Sequence, residues 1–146
     1  MILALIRELA EFEHLLDQVT ATEEAIRESL FGSQPHAEVL LARVAEEIAG
    51  FALFFHNYST FVGKRGVYLE DLFVRPRFRG SGCGRQLLRH LAALALQRGC
   101  GRLEWAVLDW NQRAIEFYRN LGAVPMDEWT VYRLSGDALI RMGTTP

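Results

Sequence analysis

Three groups of residues in this 146-residue chain have types and spacings suited to chemistry. The first is the run Arg79, Gly80, Ser81, Gly82, Cys83, Gly84, which follows an apolar strand-like segment, Val67 to Val74, and opens a helical one, Gln86 to Arg98. Three glycines let backbone N–H groups converge without Cβ obstruction, and a helix N-terminus behind them adds about half a positive charge, so the turn suits an anion such as a phosphate. The competing reading is a sharp strand-to-helix turn that uses glycine for geometry alone. The second group is Glu70 and Asp71, two carboxylates in the middle of that apolar strand. An unpaired buried carboxylate is costly, so each must be hydrogen-bonded, open to a cleft or at work on a cation or a proton. Strict alternation predicts that the two point to opposite faces. The third group is Asn111 and Tyr118, spaced about two helical turns apart and so placed on one helix face. A core tyrosine is the usual alternative for such a position.

The elements that must hold these residues follow from periodicity and punctuation. Ile2, Leu5, Ile6, Leu9, Phe12 and Leu16 recur at three- and four-residue intervals and predict an amphipathic first helix. Thr20 with Glu23 makes a capping-box pattern for a short second helix ending near Gly32. Val39 to Val44 and Ile48 to Tyr58 read as a hairpin with a tight turn at Ala45 to Glu47. Val67 to Val74 and Arg102 to Leu108 flank the glycine turn and a helix ended by Gly99 and Gly101, which makes a parallel βαβ unit. Asn111 caps a further helix that runs to Leu121 and stops at Gly122, and Trp129 to Leu134 reads as a final strand. Without repeats, low-complexity tracts or linkers, residues 1–146 are expected to form a single α/β domain. Its mixed, mostly antiparallel sheet has a parallel βαβ crossover at its centre and helices around it. Ligands favour the carboxyl ends of parallel strands, which is where the Arg79 to Gly84 turn lies.

Composition narrows the function classes. Half the residues are apolar, and a chain of this length buries roughly two thirds of its surface, enough for a real core. No stretch approaches the ~20 uninterrupted apolar residues of a membrane helix, and Arg7, Glu8 and Glu11 interrupt Met1 to Ile6 before it can serve as a signal peptide. A soluble protein with no membrane partner is the expectation. The two cysteines, Cys83 and Cys100, show no metal-ligand spacing, which points to a reducing cytoplasm and no metal. Cys83 falls at a helix N-terminus, where thiol acidity can rise, but a small space-filling side chain explains it better than a nucleophile. The net charge of −2 hides an asymmetry: residues 1–60 carry 3 basic and 10 acidic side chains, residues 61–146 carry 13 and 8. A basic half suits a phosphorylated ligand and an acidic half a cationic substrate, while solvated helix faces give the same counts. No basic stripe with interleaved aromatics speaks for nucleic acid.

The turn has neither the dinucleotide fingerprint nor a Walker loop, since no Lys-Ser or Lys-Thr pair follows its last glycine. Arg79, Gly82 and Gly84 instead meet the Arg/Gln-x-x-Gly-x-Gly/Ala signature of the GNAT superfamily of N-acetyltransferases, which the chain resembles. Asn111, Ala114, Phe117, Tyr118, Leu121, Gly122 and Ala123 are similar to the C-terminal motif of the same family. Tyr68 to Val74, then Phe78, Arg79, Gly80, and later Asp109, Trp110, Asn111, look like its diamine and polyamine acetyltransferase branch. Arg7, Glu8, Leu9, Ala10, Phe12, Glu13, Gln18 and Val19 match that branch's first helix, so the resemblance covers nearly the whole chain.

The resemblance implies acetyl-CoA as cosubstrate. Backbone groups of Leu72 and Val74 would hold its pantetheine arm, Arg79, Gly80, Ser81, Gly82, Cys83, Gly84 and Arg85 its pyrophosphate, and Asn111 its pantetheine side. Tyr118 would be the general acid, and Glu70 would both accept the amine's proton and, with Phe12, Glu13 and Asp127, face the amine. Phe12 stands where the branch usually has tyrosine. A homodimer is also implied. The branch usually begins with a strand ahead of the first helix, which is missing here, so the hairpin's outer strand is expected to lack a neighbour. Ser59 and Phe61 replace a substrate-binding acid and a tryptophan, which removes support for long polyamines. Small diamines, polyamines or lysine-like amino acids are the expected substrates. The alternatives are acetylation of a protein lysine or N-terminus, and a non-catalytic acyl-CoA-binding module.

Overall fold

The computed structural model describes residues 1–145. Its backbone forms two compact units, Met1–Ala106 and Val107–Pro146. In the first, helix α1 (Ile2–Phe12) buries Ile2, Leu5, Leu9 and Ala10, the stripe that the three- and four-residue spacing predicts. It ends before Leu16, because the chain turns at His14 with a positive φ of 60°. Helix α2 (Glu23–Phe31) is capped by Thr22 rather than Thr20: Thr22 Oγ1 accepts from Ala25 N at 3.2 Å.

Strands β1 (Glu38–Val44), β2 (Glu47–Ser59), β3 (Lys64–Val74) and β4 (Leu103–Trp105) form one sheet in the order β1-β2-β3-β4. The first two pairings are antiparallel and β3–β4 is parallel, joined through helix α3 (Cys83–Gln97). A Schellman motif closes α3, with Gly99 at φ 67° and the N–H groups of Gly99 and Cys100 donating to Leu96 and Ala95. This is the expected mixed sheet, although β4 is less than half the length that the apolar run Arg102 to Leu108 suggested.

The register of β3 departs from simple alternation. Leu69 pairs with Phe54 and Asp71 with Leu53, so Glu70 is one residue too many: a β-bulge in which Glu70 and Asp71 together oppose Leu53. The bulge switches which residues of β3 face which side. Before it, Val67 and Leu69 share a face with Ala52 and Phe54; after it, Asp71 and Phe73 share the opposite face with Leu53 and Phe51. Leu5 and Leu9 of α1 pack on the Phe51 and Phe73 face, with Phe12, Val39, Leu41 and Leu53 around them. The other face packs against α3, whose Leu87, Leu88, Leu91 and Ala95 are buried.

The second unit holds helices α4 (Gln112–Asn120) and α5 (Gly136–Thr144). The strand expected over Trp129 to Leu134 is not formed, and Trp129, Val131 and Tyr132 are exposed. Apolar alternation supplies only one face of a strand; a ladder also needs a neighbour for its N–H and C=O groups, and these residues have none among those described. Helix α5 was not anticipated, since only Leu139, Ile140 and Met142 mark it. Among the described residues no helix is long and apolar enough to cross a membrane.

Candidate active site

The glycine turn has the geometry of a cradle. Gly80 and Gly82 take φ values of 84° and 88°, a region that side chains disfavour, and Gly82 is the N-cap of α3. No side chain caps that end, so the N–H groups of the first turn, at Cys83, Gly84 and Arg85, point out of the helix toward the turn. Gln86 N is the first to be used within the helix, donating to Gly82 O at 3.0 Å. Ser81 Oγ donates to Phe78 O at 2.6 Å and lies 3.1 Å from the buried Cys83 Sγ, which fixes the turn from inside. Such a set of unpaired donors at a helix N-terminus fits a diphosphate.

The bulge at Glu70 leads directly to this turn and opens an edge of β3. Parallel pairing covers only Val67–Leu69 with Leu103–Trp105 and stops at the bulge. Arg75 N donates to Ala49 O across β2, so the backbone groups of Val74 and Leu72 point the other way, away from β2. Beyond Leu69 no described strand pairs with that edge. An extended amide-bearing chain has the N–H groups of Leu72 and Val74 and the carbonyl of Leu72 to pair with there, the carbonyl of Val74 already accepting from Arg79 Nε.

At the bulge, Asp71 lies within electrostatic reach of Glu70 and Glu13. Burial pushes the Asp71 carboxyl up to about 6, and the negative charges of Glu70 and Glu13 push in the same direction. Glu13, half-buried at the end of α1, is also raised by burial. Beside them, burial first and then Glu70 and Glu104 raise the Tyr68 phenol. Glu70 is exposed while Asp71 and Glu13 are half-buried, and negative charges near one another favour a bound cation, which relieves their repulsion. Phe12 lies at this end of α1 with the Arg79 guanidinium 4.3 Å above its ring.

In the second unit, Asn111 Oδ1 accepts from Ala114 N at 3.3 Å and caps α4 as its sequence position predicts. Tyr118 is half-buried on α4, its ring 5.5 Å from Phe117. Its carbonyl accepts from Ala123 N in the Schellman turn at Gly122, so the backbone at this tyrosine is fixed by the helix end. Asp127 is exposed in the irregular segment after α4. No group of His, Cys, Asp and Glu suited to a metal occurs among the described residues.

The match to the description "Acetyltransferase (GNAT) family" runs over residues 3–123. The chain belongs to the GNAT acetyltransferase family. It is 42% identical to a thialysine N-epsilon-acetyltransferase of Bos taurus, over 94% of this chain and 87% of that protein. It is 31% identical to a human spermidine/spermine N(1)-acetyltransferase-like protein 1, over 97% of this chain but 22% of that longer protein. Among solved structures, an integron cassette protein from the mobile metagenome of V. cholerae superposes with a TM-score of 0.79 at 29% identity, covering 94% of this chain and 86% of that one. As a GNAT protein the chain is an acetyl-CoA-dependent N-acetyltransferase with the family's α/β fold.

Sequence reasoning left two features of the site unread. The turn of Asp71 toward α1 depends on a bulge that alternation does not announce. Glu8 and Arg75, which join α1 to the sheet, gave no signal beyond opposite charge.

Proposed function

We propose that this chain moves the acetyl group of acetyl-CoA to a primary amine of a small cation, a lysine-like amino acid, a diamine or a short polyamine, by direct attack in a ternary complex. The observation that carries this reading is the β3 bulge, which sets Asp71 beside the open strand edge and within electrostatic reach of Glu70 and Glu13. The thialysine acetyltransferase relatives support it. In this reading residues 1–146 work as one domain, in the cytoplasm, as a homodimer, without nucleic-acid or membrane partners.

Acetyl-CoA brings the activated thioester; everything else falls to the protein. Backbone groups of Leu72 and Val74 pair with the pantetheine arm, Asn111 binds the pantetheine part as well, and Arg79 to Arg85 take the pyrophosphate. Phe12, Glu13, Glu70 and Asp127 face the amine, with Asp71 added by its place at the bulge. At an alkylamine pKa of about 10.4, roughly one molecule in a thousand is free base at pH 7.4, a handicap of about 4 kcal/mol. Glu70 accepts that proton, directly or through water. A backbone N–H near Leu72 stabilises the charge that grows on the carbonyl oxygen. Tyr118 then protonates the leaving sulfur, a transfer uphill by about 2 kcal/mol for unperturbed groups, which the site must offset.

Thiol release from acetyl-CoA tests this directly, with putrescine, spermidine, thialysine and a lysine peptide as acceptors. Turnover on the small amines is expected. Turnover on the peptide alone would refute the substrate class, and none on any amine would refute the reaction.

A further inference from the structure

Two arginines follow β3 four residues apart, Arg75 and Arg79, and α1 presents Glu8 and Phe12, also four apart and so on one helix face. Arg75 Nε and Nη2 donate to the two carboxylate oxygens of Glu8 at 2.8 and 2.6 Å, while its Nη1 donates to Ile48 O on β2 at 2.9 Å. The Arg79 guanidinium lies 4.3 Å over the Phe12 ring and 5.9 Å from that of Phe73, and its Nε donates to Val74 O at 2.9 Å. Each arginine therefore holds α1 with one part of its guanidinium and strand backbone with another.

Glu13 is the residue directly after Phe12, one place beyond the last helical residue. Its charge and that of Asp71 repel each other, and the apolar contacts of Leu5 and Leu9 are non-directional and lie one or more turns back. A bidentate guanidinium fork, unlike burial, fixes orientation as well as distance. We infer that Arg75 and Arg79 are positioning residues that clasp Glu8 and Phe12, and so set where Glu13 stands against Glu70 and Asp71. Arg79 also opens the glycine turn, which ties this placement to the acetyl-CoA site. The inference rests on the functional reading above, in which these carboxylates receive the amine.

The test uses Glu8→Gln, Arg75→Gln, the double variant and Arg75→Lys, with Arg77→Gln as a neighbouring control whose partner is the exposed Glu47. Each single clasp variant is expected to raise the KM for thialysine about tenfold, with kcat within about twofold and the KM for acetyl-CoA unchanged. The double variant should be no worse than either single, and Arg75→Lys, which cannot fork, should rescue only in part. A loss of kcat with both KM values raised together, or a lower melting temperature with kinetics unchanged, overturns the inference. A second readout needs no turnover: carbon-13 NMR titration of the Asp71 carboxyl in ligand-free protein. If the clasp sets Glu13, the Asp71 midpoint falls in Glu8→Gln and Arg75→Gln but not in Arg77→Gln, by the small part that Glu13 adds to the larger effects of burial and Glu70. An unchanged midpoint overturns the inference even if the wild-type protein acetylates none of the amines tried, a result that by itself defeats only the functional reading.

Discussion

Leu69 and Asp71 are two residues apart on β3 yet lie on opposite faces of the sheet, because Glu70 between them has no partner of its own on β2. That one extra residue turns Asp71 from the α3 face to the α1 face, where Glu13 stands, and it coincides with the end of β3–β4 pairing. The carboxylate group and the open strand edge thus have a common origin.

Asp71 should weaken the fold at neutral pH. Its carboxyl titrates at about 6 when folded, above the 3.8 usual for aspartate, so the folded state holds the proton more tightly. The stability this gives is complete below the unfolded value and is lost as pH rises through about 6. Asp71→Asn should therefore raise stability at pH 7 by roughly 1–3 kcal/mol. Denaturant midpoints at pH 7 and pH 4 check this: the gain is expected at the first and largely absent at the second. Glu8 acts in the opposite sense, since the Arg75 hydrogen bond holds its carboxyl below the usual range and its contribution disappears as the medium becomes acid.

Gly82→Ala separates a phosphate cradle from a mere turn. Nothing lies within 4 Å of a Cβ built on Gly82, so the substitution creates no clash, and its penalty arises from φ 88° alone, about 1–2 kcal/mol. The chain relieves that strain by rotating the turn, which re-aims the first N–H groups of α3. Calorimetry should show a roughly tenfold weaker Kd for coenzyme A with the fold retained. An unchanged Kd would mean that the glycine serves geometry only.

Tyr118→Phe and Glu70→Gln probe the two proton transfers. Tyr118→Phe keeps the ring against Phe117 and removes only the hydroxyl. Turnover is expected to fall about a hundredfold or more, the usual worth of a placed acid, with coenzyme A affinity within twofold. Glu70→Gln should lower kcat/KM for the amine by a similar factor, and raising the pH should recover part of it as free base accumulates. Full activity in either variant would remove that residue from its role.

How far the sequence could be read depended on the range of the interactions concerned. Most local signals held: the α1 stripe as far as Phe12, the glycine stops at Gly99 and Gly122, and the Asn111 cap all depend on residues within a turn of one another, though the capping box at Thr20 did not form. Signals that depend on a distant partner gave the pairings, the β1–β2 hairpin and the parallel β3–β4 crossover, but not their details. The bulge at Glu70 is defined by β2, so strict alternation assigned Asp71 the face of Leu69. Trp129 to Leu134 has the alternation of a strand but no ladder. Thr20 and Thr22 offer the same hydroxyl, and only the path of the chain into α2 decides between them. The Arg75–Glu8 pair joins residues 67 positions apart, a distance over which charge pattern carries no pairing information.

The affinity for a cation should itself depend on pH. Below about 6 Asp71 is protonated, and the bulge attracts an ammonium group through its remaining charges only; above it the full negative charge is present. A quaternary ammonium inhibitor keeps its own charge at every pH, so any change in its binding reports the protein. Its Kd should fall as pH rises from 5 to 7, by up to about tenfold for one added charge at this range and burial. In Asp71→Asn the part of the profile centred near 6 should vanish. An identical profile in the variant would place the cation away from Asp71 and leave the bulge without a part in recognition.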